Sequence, residues 1–246
     1  MTLLTEPKMG GLEPLTEEQI TTYYREGYLV APNLVPEIEV DRAVEAFGGI
    51  PENSTRWTAS IFDHDNPDAN RDQHRLLIEP HLIGAVEQIF EAPPRVYYGM
   101  TAVVPAGGGS GLAWHQDNQY SQILVNALNV FVALCDITPD KAILWVAPRT
   151  HRLGTQPSQE GEGRHREAVI EPENGFALPM LKKGDVCLFD RNTYHRSLRN
   201  ETNEHRYAYA AQFMADYARI AETGAKDPTR MLARDLCSLW SSLRQE

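Results

Sequence analysis

From Arg95 onward, the sequence consists largely of short β-branched and aromatic runs separated by turns. In residues 206–213, large apolar side chains alternate with small or polar ones. The bulky face carries Tyr207, Tyr209, Ala211 and Phe213, and the narrow face carries Arg206, Ala208, Ala210 and Gln212. Such a strand predicts a barrel that admits a ligand and packs outward against helices. We expect a mainly β fold, a double-stranded β-helix (jelly roll, cupin-like) with buttressing α-helices.

Helices are predicted mainly before these strands. The capping box at Thr16 to Gln19 predicts a helix over 17–26, and further helical patterns cover 36–47 and 79–91. The sequence contains no internal repeat and no linker with a shift in composition. We therefore expect residues 1–246 to form a single domain, with its core at about 16–214 and a C-terminal amphipathic helix at about 227–244. Segments 51–75 and 152–174 are polar and are predicted to form loops.

Charge and cysteine content restrict the partners of the chain. The 246 residues carry a formal net charge of −11, which argues against a nucleic-acid partner because no basic stripe offsets it. We find neither an apolar run long enough for a membrane span nor a signal-peptide pattern. The three cysteines are far apart and form no CxxC motif. The expected location is a reducing cytoplasm.

The polar stretch 111–118 contains a His-x-Asp pair, His115 and Asp117. In an extended strand, side chains two residues apart point to the same face, so Gln116 would turn away. A neutral nitrogen and an anionic oxygen can supply two ligands to a divalent metal. A second histidine would complete a 2-His-1-carboxylate triad, which leaves positions open on Fe(II). His195, which follows the apolar run 186–189, is the candidate for this third ligand.

Arg206 lies on the narrow face of its strand, where a guanidinium is costly unless it meets an anion. Its fork matches a carboxylate, and Ser197, on the same strand face as His195, can add a hydroxyl donor. The anion implied is the distal carboxylate of 2-oxoglutarate. Its keto-acid end would then chelate the iron.

Several motifs occur in a characteristic order. They cover residues 24–30, 114–118, 130–136, 144–151, 184–186 and 195–197, followed by Arg206. In this combination and spacing the sequence resembles the phytanoyl-CoA dioxygenase family of Fe(II)/2-oxoglutarate-dependent oxygenases, over roughly residues 16 to 214. The resemblance implies O2 as a further co-substrate and oxidation of a C–H bond of a small molecule, with hydroxylation as the default outcome. In related halogenases a small residue replaces the carboxylate ligand, so Asp117 favours hydroxylation over chlorination.

The sequence departs from the family in two turns. Lys141-Ala142 stands where Asn-Gly is usual, and Arg149 stands where the family's Pro-Gly-Ser-His motif has glycine. Arg149 could reach the substrate or only the solvent. Candidate substrate contacts are Trp57, His74, Gln119, Tyr120, Trp145 and Arg149. Each of them is equally compatible with a place in the core or on the surface.

The alternatives fall into two classes. The same cofactor chemistry could give desaturation, cyclisation, epimerisation or peroxide formation, because the outcome depends on how the substrate is placed. The rival of another class is a non-catalytic barrel that binds a metal or a small acid as a sensor or scaffold. Such a protein would not need the full metal triad together with Arg206. The expected substrate is a small molecule, such as a natural-product intermediate. The apolar C-terminal helix could form a homodimer contact.

Overall fold

The computed structural model describes residues 14–47, 58–161 and 165–242, so the candidate substrate residue Trp57 lies outside the described residues. The helices are α1 (Glu17–Glu26), α2 (Glu37–Glu45), α3 (Pro80–Phe90) and α4 (Ala233–Ser242). Three 3-10 helices cover Arg71–Ile78, Asp117–Gln119 and Thr150–Leu153 of the described chain. The strands are β1 (Tyr28–Ala31), β2 (Thr58–Ile61), β3 (Pro94–Val104), β4 (Ile123–Leu124), β5 (Ala127–Ala133), β6 (Leu144–Val146), β7 (Ser158–Glu160), β8 (Arg166–Ala168), β9 (Phe176–Ala177), β10 (Val186–Asp190), β11 (His195–Ser197), β12 (Arg206–Ala215) and β13 (Arg219–Ile220).

The fold is mainly sheet, with helices on the outside. Six strands form the major sheet in the order β1-β10-β5-β12-β3-β2, and three strands form the minor sheet in the order β11-β6-β9. All of these pairings are antiparallel. An inner cluster takes side chains from both sheets, among them Phe131 and Phe189 from the major sheet and Leu144 and Val146 from the minor one. The two sheets therefore face each other across a shared interior.

Strand β12 has the two-faced character that its sequence predicts. Tyr209 and Phe213 are fully buried in the outer cluster, which α1, α2, α3 and α4 cover. On the opposite face, Arg206, Ala208, Ala210 and Gln212 line a cavity between the sheets. Small side chains at Ala208 and Ala210 leave this space open. The predicted alternation is confirmed.

Helix α1 is also confirmed, with Thr16 and Gln19 forming the reciprocal capping box. The C-terminal helix is shorter than predicted and begins at Ala233. Before it, the carboxylate of Asp227 accepts hydrogen bonds from the backbone and hydroxyl of Thr229, which holds this segment in a turn.

The apolar face of α4 packs within the chain. Leu236 and Trp240 are buried in the outer cluster, and Trp240 Nε1 donates to the carbonyl oxygen of Pro67 at 3.0 Å. These side chains are therefore not available for a subunit contact, and a homodimer stays a prediction. Among the described residues, no helix combines the length and the apolar character that crossing a membrane requires.

His74, a candidate substrate residue, lies in the outer core and not at the cavity. Its ring is fully buried, and Nδ1 is 3.2 Å from the hydroxyl oxygen of Tyr209, on the outward face of β12. Burial lowers the pKa of His74 to about 4 from the ordinary 6.5. His74 is therefore a neutral core residue at neutral pH.

This burial predicts a pH dependence of stability. The unfolded chain binds a proton at His74 near pH 6.5, whereas the folded chain resists it until about pH 4. The contribution of neutral His74 to the free energy of unfolding is therefore fully present above pH 6.5, and it is lost as the pH falls through this window. We expect the free energy of unfolding of the wild type to drop by about 1–2 kcal/mol more than that of His74→Gln between pH 7 and pH 5. Urea unfolding at both pH values measures this, and equal drops would contradict the assignment.

Candidate active site

Two histidines and an aspartate meet at one end of the cavity. His115 and His195 exchange two backbone hydrogen bonds, with N···O distances of 3.1 and 3.0 Å. This antiparallel bridge brings their rings within 4.2 Å, centroid to centroid. Asp117 begins the 3-10 turn that follows, and extended Gln116 separates it from His115. The predicted strand through these residues is thus only a single bridge, but the extended residue between them keeps both side chains on one side.

The three side chains have the spacing of a metal site. One ligand atom from each residue lies within 4.8 Å of the other two. The Nε2 atoms of His115 and His195 are each 3.8 Å from a carboxylate oxygen of Asp117. Within the described chain, this is the one such group of His, Cys, Asp and Glu residues. The structure therefore brings the three predicted ligands together.

Hydrogen bonds to backbone carbonyls fix the orientation and the tautomer of both imidazoles. Nδ1 of His115 is 2.8 Å from the carbonyl oxygen of Ala113, and Nδ1 of His195 is 3.0 Å from that of Thr193. Because a carbonyl only accepts, each Nδ1 donates, and in the neutral ring Nε2 is then the nitrogen that carries the lone pair. Burial, helped by His195, lowers the pKa of His115 to about 4. This imidazole is therefore neutral at physiological pH, as metal binding requires.

Asp117 is held as an anion. Burial alone would raise its pKa, but His195, His115 and Arg191 together with a hydrogen bond from Gln212 lower it below the usual value. Two imidazole nitrogens and one anionic oxygen fit a 2-His-1-carboxylate site, the donor set of non-haem Fe(II) oxygenases. The chemistry of the residues thus fits the predicted iron.

Arg206 lies in the same cavity, which has a volume of about 370 Å³. Its side chain is buried, and its guanidinium carbon is 5.5 Å from the centre of the Phe131 ring. Nε has no hydrogen-bond partner, and no carboxylate of the described residues forms an ion pair with it. Burial lowers its pKa to about 10, so it remains charged at neutral pH. A buried cation with no ion-pair partner among the described residues is suited to bind an anion, such as the carboxylate of a ligand.

Ser197 lies in the cavity as well. Its Oγ accepts a hydrogen bond from the backbone N–H of Leu112 at 3.3 Å, which leaves the hydroxyl hydrogen free to donate. Together, Arg206 and Ser197 present donors to the interior of the barrel, on the faces that the sequence predicted for them.

Arg191 and Gln212 are site residues that the sequence did not single out. Arg191 Nη2 donates to the carbonyl oxygens of Asp117 at 3.0 Å and of Ser121 at 2.9 Å, while Nη1 donates to Oε1 of Gln212. Gln212 in turn hydrogen-bonds to the carboxylate of Asp117. Arg191 thus fixes both the backbone and the side chain of this ligand. In the sequence, Arg191 looks like an ordinary loop arginine because it directly follows the strand residue Asp190.

Of the candidate substrate residues within the described part of the chain, Tyr120 alone lines the cavity. Its ring is perpendicular to that of His115, with 6.0 Å between the centroids. The hydroxyl oxygen of Tyr120 accepts a hydrogen bond from the backbone N–H of Arg166 in β8 at 3.0 Å. The segment predicted as a loop at 152–174 therefore contains the β7–β8 hairpin, which is attached to the rim of the site.

Two other candidates have structural contacts elsewhere. Gln119 accepts from the backbone N–H of Gln116 at 3.0 Å and donates to the carbonyl oxygen of Gln156. Trp145 pairs with Arg196 across the minor sheet, with the guanidinium carbon 4.4 Å from its ring centre. Neither lines the cavity.

Arg149 is also remote from the cavity. Its guanidinium forms two hydrogen bonds with Glu26, at 2.9 and 3.0 Å, and lowers the pKa of that carboxyl to about 2. Its φ of +67° lies in the left-handed region, which favours glycine. This conformation explains why glycine is usual at the position. The ion pair with Glu26 gives Arg149 a role at the surface.

Comparisons with known proteins agree with this geometry. The model of the phytanoyl-CoA dioxygenase family matches residues 23–208. The chain is 25% identical to an ectoine dioxygenase of Halomonas elongata, over 96% of this chain and 82% of the relative. It is also 25% identical to an L-proline trans-4-hydroxylase of Streptomyces griseoviridis, over 62% of this chain and 61% of the relative.

Among solved structures, EvdO2 of Micromonospora carbonacea var. aurantiaca matches with a TM-score of 0.70 at 19% identity, covering 89% of this chain and 98% of that one. The epimerase SnoN, solved with Fe3+, alpha-ketoglutarate and nogalamycin RO, matches with a TM-score of 0.68 at 21% identity, covering 87% and 86%. A cavity between two antiparallel sheets, with a His-Asp-His cluster and a buried arginine, is the site of an Fe(II)/2-oxoglutarate-type oxygenase. This chain belongs to the phytanoyl-CoA dioxygenase family. The predicted family and enzyme class are confirmed.

The surface role of Arg149 can be tested by Arg149→Gly. The variant loses a solvent-exposed ion pair, which contributes little to stability in water, and places at this position a residue that adopts the left-handed backbone without strain. We expect the midpoint of urea unfolding to change little and the KM for the eventual substrate to stay within about twofold. A severalfold rise in that KM, with unchanged stability, would instead place Arg149 in the substrate site.

Proposed function

We propose that this protein is an Fe(II)- and 2-oxoglutarate-dependent dioxygenase that hydroxylates a C–H bond of a small organic molecule. The observation that carries the proposal is the presence of two incomplete sites in one cavity. The cluster of His115, Asp117 and His195 lacks only a cation, and Arg206 lacks only an anion. Iron satisfies the first, and the distal carboxylate of 2-oxoglutarate satisfies the second.

Each residue has a defined task in this proposal. His115, Asp117 and His195 hold the iron, which supplies the oxidising chemistry with O2 and 2-oxoglutarate when it is bound. Arg206 and Ser197 hold the distal carboxylate of 2-oxoglutarate. Arg191 and Gln212 keep the carboxylate of Asp117 directed at the metal. Because Asp117 fills the third protein position, hydroxylation is favoured over halogenation.

The enclosing fold is, in our proposal, a double-stranded β-helix (jelly roll). Its support is the pair of facing antiparallel sheets, the cavity between them and the likeness to oxygenases of known structure. We further propose a single domain, because the major sheet and the four described helices share one contiguous outer core. A cytoplasmic location is proposed as well, and the free thiols of Cys135, Cys187 and Cys237 are compatible with it.

The proposed substrate is a small molecule from natural-product biosynthesis. The end of the cavity remote from Arg206 is aromatic, with Tyr97, Tyr98 and Tyr120 in its lining. Tyr98 pairs with Gln212, six residues along β12 from Arg206. A ring-bearing substrate would find apolar area and hydroxyl groups there. The relatives named above act on ectoine and L-proline, so the choice among substrates within the family stays open to screening.

A second outcome is favoured by a specific similarity. SnoN is an epimerase, and SnoK, which matches with a TM-score of 0.68 at 18% identity over 89% of this chain and 97% of that one, is a carbocyclase. The same ligand set can therefore serve hydrogen abstraction without hydroxylation, depending on how the substrate is placed. Product analysis by mass spectrometry separates the two, since hydroxylation adds one oxygen atom and epimerisation adds none.

The cofactor assignment is tested by anaerobic titration. Fe(II) followed by 2-oxoglutarate should give the weak visible metal-to-ligand charge-transfer band in the wild type. His195→Ala should abolish the band, because it removes a metal ligand. Arg206→Ala should raise the 2-oxoglutarate concentration needed for it by about a hundredfold, because a charge-assisted contact is lost.

Arg199→Ala is the matched control, since this exposed arginine only donates to the carbonyl oxygen of Gly108. It should behave like the wild type. A folded, iron-loaded wild type without the band would contradict the proposal and favour the sensor or scaffold alternative. With the band established, release of succinate across a panel of ring-bearing and zwitterionic compounds would identify the substrate.

A further inference from the structure

The side chain of Asn129 is a second unsatisfied group in the cavity. It is 3% exposed, and it lines the same space as the metal cluster. Neither its Nδ2 nor its Oδ1 has a hydrogen-bond partner in the described part of the chain. An unpaired buried amide is destabilising, and native proteins rarely retain one without a reason. The amide therefore requires a polar ligand.

The position of Asn129 indicates which ligand. On β5 it pairs with Phe189 of β10 on one side and with Gln212 of β12 on the other. The Phe189 ring is 4.7 Å from that of His195, and Gln212 hydrogen-bonds to Asp117. Asn129 thus lies on the floor of the cavity, at the metal end.

Asn129 and Phe131 lie on the same face of β5, and Phe131 is the residue that contacts Arg206. Phe131, two residues further along β5, lies beneath the guanidinium of Arg206. Two residues of strand span about 6.8 Å, which is comparable to the length of a five-carbon diacid. A molecule with its distal carboxylate on Arg206 and its other end at the metal cluster would therefore extend over Phe131 and end near Asn129.

We propose that Asn129 binds the keto-acid end of 2-oxoglutarate by donating a hydrogen bond from Nδ2 to its C1 carboxylate. This inference rests on the proposed function. An amide suits the task because this second carboxylate lies near the anionic Asp117, where a donor is needed. Asn129 is neutral, so it adds no further buried charge. It also discriminates against co-substrates that lack an acceptor at this end.

The test separates the two ends of the co-substrate. Mn(II)-loaded protein is titrated by calorimetry with 2-oxoglutarate and with 2-oxobutyrate, which has the same keto-acid end but no distal carboxylate. In Asn129→Leu, both ligands should bind more weakly by the same factor, about ten- to a hundredfold. In Arg206→Gln, the affinity for 2-oxoglutarate should fall and that for 2-oxobutyrate should stay nearly unchanged. Affinity for Mn(II) alone should be unaltered in Asn129→Leu.

Two further variants complete the design. Asn129→Asp keeps the shape but replaces the donor with a negative charge, so it should weaken both ligands at least as much as Asn129→Leu. Asn126→Ala is the matched control, because its amide donates to the hydroxyl of Tyr217 at 2.7 Å and does not line the cavity. It should bind both ligands as the wild type does.

A stability measurement distinguishes binding from a structural role. Leucine has the same branched shape and the same number of side-chain heavy atoms as asparagine, and it removes an unsatisfied amide, so the ligand-free Asn129→Leu protein should melt at the same temperature as the wild type or higher. The increase in melting temperature caused by 2-oxoglutarate should shrink in this variant. A lower melting temperature without ligand, together with unchanged ligand affinities, would assign Asn129 to the core and overturn the inference.

Other results also overturn it. If Asn129→Leu weakens 2-oxoglutarate but not 2-oxobutyrate, the residue acts at the distal end. If neither affinity changes more than twofold, the amide serves another ligand. A metal-loaded wild type that binds neither oxo acid would refute the proposed function itself, which is a different result from normal wild-type binding with an unaffected variant.

Discussion

The pair of backbone hydrogen bonds between His115 and His195 is the contact on which the site depends. It joins two segments that are eighty residues apart in the sequence, and it does so through backbone atoms, so it imposes no demand on the side chains. Because residues opposite each other in an antiparallel bridge point to the same face, both imidazoles enter the cavity together. The carbonyls of Ala113 and Thr193 then set both tautomers from within the same two segments.

Polar groups in the cavity are arranged at a cost to the stability of the ligand-free chain. Arg206 Nε and the amide of Asn129 are buried without hydrogen-bond partners among the described residues, whereas the equally buried Arg191 donates to several groups of the chain. This difference separates groups that hold the site from groups that wait for a ligand. Functional residues commonly violate the rules that the rest of a fold obeys, and the surrounding core compensates for them. Here the compensation is the large outer cluster between the major sheet and the helices.

Sequence patterns predicted those parts of the fold that depend on local periodicity. The capping box of α1 and the alternation of β12 are properties of neighbouring residues, and both are confirmed. The grouping of His115, Asp117 and His195 followed from the chemistry of the residue types together with the family resemblance. The start of α4 was placed too early because the turn at Asp227 depends on a side-chain hydrogen bond.

Residues whose role depends on tertiary contacts could not be predicted. His74 and Trp145 resemble pocket residues in sequence, but the sheet places them on faces away from the cavity. Arg191 acquires its role only through the folded loop that carries Asp117. Asn129 did leave a signal, since it interrupts an otherwise apolar strand. A polar residue in the middle of a buried strand is worth attention because it must find a partner or a ligand.

The β7–β8 hairpin gives the site a modular construction. It meets the metal-bearing segment through the backbone N–H of Ala168 on the carbonyl of Trp114 and through Arg166 on the hydroxyl of Tyr120. No metal ligand belongs to it. Exchange of this hairpin between homologues would therefore alter the entrance while the reactive centre stays intact. In evolutionary terms, substitutions in this hairpin can reshape the entrance while His115, Asp117 and His195 are retained.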